Sequence, residues 1–207
     1  MRGQALSVAA VVVSAAATVL VRPPAAAAEP PGIPDAAAAR TLLDGLTVAE
    51  ESSARGYSRD KFPHWNSVGE CTIRETVLHR DGLDVTVDGE CQPTGRWFSP
   101  YDDRTMTDPA DIDVDHVVPL AESWRSGASE WSTEQREQFA NDLESPQLIA
   151  VTASSNRTKG DRDPASWHPI PAFECTYSRM WVAVKARWQL TLQQAEKDVL
   201  TRMLSTC

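Results

Sequence analysis

Basic residues are scarce in this chain: 20 Lys and Arg stand against 29 Asp and Glu over 207 residues, a formal charge of −9. The first 28 residues hold Arg2 and Arg22 and no acid, so without them 18 basic residues face 29 acidic ones. Affinity for a phosphate backbone ordinarily comes from Lys and Arg releasing counterions. Binding of nucleic acid by general electrostatics is therefore excluded, and any such contact must be local, metal-assisted or weak. Cysteine is also sparse, four residues with no C-x-x-C pair, which excludes a four-thiolate zinc site. Beyond residue 28 no apolar run is long enough to span a bilayer. Internal repeats and long low-complexity linkers are absent, and so is any recognition helix or zinc-finger module, which leaves little scope for base readout.

What is present begins with an export signal. Arg2 precedes an apolar run over residues 5–21, and Ala26 and Ala28 offer an A-x-A cleavage site. The expectation is a signal peptide over 1–28, a disordered proline-rich leader over 29–34, and one domain over 35–207. The mature chain is expected to be secreted, extracellular, monomeric and free of the membrane. Four cysteines in an exported chain point to two disulfides, with three pairings open. Cys71 with Cys91 and Cys175 with Cys207 are favoured because each pair brackets a compact segment; each bridge is worth about 2–4 kcal/mol.

Periodicity and capping signals predict an α+β fold. Asp35 caps a helix carrying Ala39, Leu42, Leu43 and Leu46. Residues 57–66 read as an ordered aromatic loop in which His64, beside Trp65, is a packing residue. A short helix over 71–80 and strands near 85–87 and 95–101 follow. Ser132 and Gln135 form a capping box, residues 146–151 a buried strand, and Thr152 caps a short helix that Gly160 ends. Phe173, Tyr177, Trp181, Val184 and Trp188 make a helical stripe, and Thr191 with Gln194 caps a final helix.

The chemistry concentrates in residues 111–120, DIDVDHVVPL, where Asp115-His116 ends an alternating segment closed by Pro119. Phosphodiester hydrolysis needs a base for water and a cation to stabilise the developing charge. His116 suits the first task, since an imidazole titrates near neutrality. Asp115 and the amide oxygen of Asn156 are hard ligands of the kind magnesium takes. Neighbouring side chains on a regular strand point to opposite faces, so Asp115 and His116 can share a site only if the strand twists or breaks there. On a regular strand Asp113 and Asp115 share a face instead, and a carboxylate pair becomes the alternative, either as a metal site or in a hydrolase of another kind. Lys159 lies one helical turn after Asn156 and, with Arg157 and Arg162, forms the densest basic cluster, the expected seat of the substrate phosphate. The competing interpretation of each is a solvated basic turn. His168, after Trp167, is held in reserve as a substrate contact.

DVDHVVPL followed by LIAVTASSNRTKGD resembles the HNH nuclease motif of the ββα-metal (His-Me finger) fold, and is similar to the HNH domain of RNA-guided CRISPR nucleases over both segments. With WRSGA at 124–128, FAND at 139–142 and DPASW at 163–167, most of the mature chain resembles secreted bacterial HNH endonucleases. The resemblance implies a ββα-metal core over about 111–161 with His116 as general base and Asp115 and Asn156 as ligands of one divalent ion, Mg²⁺ or Mn²⁺. The substrate it implies is nucleic acid, with DNA ahead of RNA. The sequence departs from the family at the middle asparagine, where Gln147 stands in the position that tethers the loop of the base. That departure and the acidic charge support the rival, a non-catalytic extracellular module binding nucleic acid or metal.

Overall fold

The computed structural model describes residues 29–207; the expected signal peptide lies outside the described residues. Asp35, extended, accepts from the amide of Ala38 at 2.8 Å and starts α1 (Ala36–Gly45). After a loop that contains a single 3₁₀ turn at Arg59–Lys61, β1 (Ser67–Val68) pairs with β2 (Cys71–Thr72). A capping box between Thr72 and Glu75 then opens α2 (Ile73–Asp81). This helix runs directly into β3 (Gly82–Val87), which pairs antiparallel with β4 (Pro93–Ser99), as β4 does with β5 (Arg104–Met106). A Cβ at Gly82 would strike Val85 and lie 2.7 Å from Trp97 Nε1, so only glycine fits where the helix turns into the sheet under that indole.

The segment that carries the chemistry comes next. β6 (Ile112–His116) leads through α3 (Leu120–Arg125) and α4 (Thr133–Ala140) to β7 (Leu148–Thr152), its antiparallel partner, and then to α5 (Ala153–Lys159). The chain closes with α6 (Pro171–Arg187) and α7 (Gln194–Ser205).

The β6–β7 hairpin stands between two cores. On one side Ile112, Val114, Leu148 and Ala150 pack with Ile73, Val77 and Leu78 of α2 and with Trp97. On the other, Ile149 and Val151 join a larger core built on Tyr101, Tyr177, Met180, Trp181 and residues of α1, α3, α4 and α7. Both faces being covered, β7 reads as an unbroken apolar run rather than an alternating one. Its outer edge is also occupied: Ala150 donates to Asp81 at 2.8 Å and Arg80 donates to the carbonyl of Leu148 at 2.5 Å.

Cys71 is bonded to Cys91 and Cys175 to Cys207, the pairing favoured by compactness. Two expectations are corrected. The leader at 29–34 is packed: Pro30 is buried, Ile33 sits against the larger core, and Arg179 donates to the carbonyl of Pro34 at 2.6 Å. Prolines lose little conformational freedom on ordering, which makes such packing inexpensive. The capping box of α7 is formed by Gln193 and Glu196 rather than by Thr191 and Gln194, because Thr191 is held away by its bonds to the carbonyl of Ser126.

Candidate active site

β6 is regular throughout: all five of its residues pair in unbroken register with β7. Alternation therefore holds, and Asp115 and His116 lie on opposite faces. The expected break that would bring them together does not occur before the chain leaves the strand, and Asp113 and Asp115 share the face covered by α5.

On that face Asp115 is 4% exposed. Its Oδ1 accepts from Lys159 Nζ at 2.9 Å and its Oδ2 from the Tyr101 hydroxyl at 2.7 Å. Burial pushes the Asp115 carboxyl up, against the opposing pull of Lys159, and pushes the Lys159 ammonium down. Lys159 is 0% exposed and also donates to the carbonyl of His116 at 2.9 Å. Two expectations fall here. Asp115 has both oxygens engaged inside the protein and is not placed to ligate a metal, and Lys159 is not placed to meet a phosphate. The helical spacing puts Lys159 on the same side as Asn156, as expected, but that side faces the strand.

Asn156 meets the other carboxylate. Its Nδ2 donates to Asp113 Oδ2 at 3.0 Å, and Arg157 Nε lies 3.8 Å from the same oxygen. Asp113 is 30% and Arg157 74% exposed at the side chain, so this corner of α5 is open to solvent. Asp113 Oδ1 and Asn156 Oδ1 have no hydrogen bond among the described residues, so each is a hard oxygen without a partner there. Arg162 is turned back onto α5, where its guanidinium donates to the carbonyls of Thr158 and Lys159. His168 pairs with Glu174 at 2.8 Å beside a separate cleft of about 410 Å³ lined by Tyr101, Asp102, Ser155 and Trp167.

His116 occupies the opposite face with quite different neighbours. Its Nε2 lies 2.8 Å from the carbonyl oxygen of Ala140, the last residue of α4. A carbonyl only accepts, so Nε2 carries the hydrogen and Nδ1 the lone pair in the neutral ring. Burial lowers the pKa from 6.5 to about 3, which keeps the ring neutral. The Trp65 ring is centred 5.5 Å away and the His64 ring 6.2 Å away. Gln147, fully buried, holds the turn that follows: its Oε1 accepts from the amide of Val118 at 3.1 Å, its Nε2 donates to the carbonyl of Val118 at 2.9 Å, and its own carbonyl accepts from Val117 at 2.7 Å.

Four residues around these escaped the sequence. His64, expected to be a packing residue, and Trp65 flank His116; Arg59 donates through Nε to His64 Nε2 at 3.2 Å. The signal that could have found them is the crowding of Arg55, Arg59, Lys61 and His64 into one short stretch of an acidic chain. Tyr101, bonded to Asp115, carries no comparable mark. Among the described residues no three His, Cys, Asp or Glu side chains converge as a metal site.

A family model described as the C-terminal domain of GmrSD restriction endonucleases matches residues 90–203. The chain is also 56% identical over 180 residues to an "Uncharacterized secreted protein" of Arthroderma benhamiae, covering 86% of this chain and 88% of that protein. No solved structure matches the chain. The protein is secreted, as that relative is named. This chain belongs to the family of C-terminal domains of GmrSD restriction endonucleases, a nuclease-related family.

Proposed function

We propose that this chain is a secreted endonuclease that hydrolyses phosphodiester bonds, with DNA as substrate, little sequence preference and His116 as general base. The observation that carries the proposal is the His116 ring itself, neutral, with Nε2 anchored on the Ala140 carbonyl and Nδ1 left as the proton acceptor. That is the state in which an imidazole can take a proton from water. An anionic phosphate beside the ring raises its proton affinity from the low value set by burial, because a nearby negative charge favours the imidazolium. Gln147 acts as the residue that fixes the loop after the base, its longer arm spanning to Val118. The order β6, β7, α5 supports reading these elements as a ββα-metal core of the HNH kind.

The donor set decides how a metal fits. Asp113 and Asn156 present the two hard oxygens that Mg²⁺ or Mn²⁺ accepts when water and substrate complete its shell, whereas Asp115 does not fit while Lys159 and Tyr101 hold it. An ion held there would supply positive charge to a phosphate on the α5 face, across β6 from His116. The test is incubation of the mature protein with plasmid DNA and Mg²⁺, with and without chelator. Nicking that the chelator abolishes is the expected result; absence of turnover on DNA under any divalent ion overturns the reading.

A second reading, a non-catalytic extracellular module that binds nucleic acid or metal, is favoured by one observation: His116 and the Asp113–Asn156 pair lie on opposite faces of β6. Metal binding without turnover on DNA or RNA is its signature.

A further inference from the structure

We propose that Arg59 is the cation that receives the substrate phosphate, on the face of β6 where His116 lies. This rests on the reading of His116 as the base, and it relocates the phosphate from α5 to the loop before β1.

A phosphate in reach of His116 needs a cation on the same face, and α5 offers none. Lys159 is buried in its pair with Asp115, Arg157 stands beside Asp113 on the far face, and Arg162 is occupied by the carbonyls of α5. On the His116 face the Arg59 guanidinium is exposed and uses only Nε, on His64 Nε2 at 3.2 Å. Its two terminal nitrogens have no hydrogen bond among the described residues, which leaves the fork that suits a phosphate. His64 in turn donates from Nδ1 to the carbonyl of Phe62 at 2.7 Å, so its Nε2 is free to hold Arg59 in place. His64 is thus a positioning residue.

The loop carrying them is fixed by the same helix that fixes the base. Phe62 is fully buried against Phe139 and Trp124. Arg136 Nε donates to the carbonyl of Lys61 at 2.9 Å, and Asn141 Nδ2 to that of Pro63 at 2.8 Å. Both lie on or just after α4, whose Ala140 carbonyl holds His116. Trp65, beside the His116 ring, has a φ of 62°, a left-handed conformation rare for a bulky residue and of the kind that gathers at functional sites. One helix end therefore orients base, cation and an aromatic wall together.

The experiment measures anisotropy of a labelled DNA duplex with the mature protein in chelator over a salt series, alongside cleavage with Mg²⁺. Arg59→Ala is expected to weaken binding about tenfold and to reduce the salt slope by about 1, the loss of one phosphate contact. Arg59→Lys restores the slope and part of the affinity, and Arg162→Ala stays within about twofold of wild type. His64→Ala weakens binding less, and adds nothing in the Arg59→Ala background, as coupling through one group requires. Wild-type affinity and slope in Arg59→Ala, or no binding by the wild-type protein, overturns the inference. Arg59-dependent binding without cleavage sinks the endonuclease reading alone, and cleavage with Arg59-independent binding sinks this inference alone.

Discussion

The Nε2–H of His116 is held by the carbonyl oxygen of Ala140 at 2.8 Å, so the candidate base takes its orientation from the end of α4, twenty-four residues away in sequence. The same enclosure sets its protonation and makes it visible in stability. In the unfolded chain the imidazole gains a proton below about pH 6.5, whereas the folded ring resists down to about 3. Its contribution is complete above pH 6.5 and is lost as pH falls toward 3. Urea midpoints for wild type and His116→Gln are expected to diverge in that window, the wild type losing up to about 1.4 kcal/mol more per pH unit. Glu196, which burial raises from 4.5 to about 7, acts in the opposite sense, losing its contribution as pH rises through 7, and is common to both proteins. Parallel curves would contradict the buried neutral ring.

Lys159 and Asp115 form a pair with almost no solvent access. Removing one partner of such a pair leaves a buried charge and costs about 3–5 kcal/mol. Lys159→Met is therefore expected to lower the melting temperature by roughly 10 °C. An unchanged melting temperature with weakened DNA binding would mean that Lys159 faces substrate after all.

Gln147 satisfies both the amide and the carbonyl of Val118. Gln147→Ala leaves two buried polar groups unpaired at about 1–3 kcal/mol each, and releases the turn that follows the base. Loss of hydrogen-exchange protection at the Val118 amide together with a lower cleavage rate is the expected outcome. Protection like that of the wild type would show that the turn is held by something else.

Asp113 and Asn156 can lose their side chains without opening the core, since Asp113 is part-exposed. Calorimetric titration with Mn²⁺ is expected to show at least about tenfold weaker binding in Asp113→Ala and in Asn156→Ala, with melting temperatures near wild type. Asp115→Ala should instead destabilise. Wild-type Mn²⁺ affinity in Asp113→Ala would remove that carboxylate from the site.

Local chemistry was legible in the sequence. Asp35 caps α1, Thr152 caps α5, the aromatic stripe from Phe173 falls on one long helix, and the disulfides join the cysteines that bracket short segments. The alternative to a break after Asp115, a regular strand with Asp113 and Asp115 on one face, is the one the register shows. What alternation cannot say is which face meets water, and so the burial of Asp115 and Lys159 was hidden: a Lys in a basic cluster reads as surface until Tyr101 and Asp115 are brought to it by tertiary packing. His64 does pack against Trp65, as expected, and what the sequence hides is its closeness to His116. Its neighbourhood is made by contacts such as Asn141 with Pro63 and Arg136 with Lys61, which join segments more than seventy residues apart.

The most direct test of the central claim is the single-turnover rate of plasmid cleavage by His116→Ala beside wild type, at matched Mg²⁺ and with folding checked by melting. A general base contributes about 10²–10⁴-fold, so a folded His116→Ala protein is expected to lose cleavage by that factor. Cleavage by His116→Ala at the wild-type rate would contradict the account.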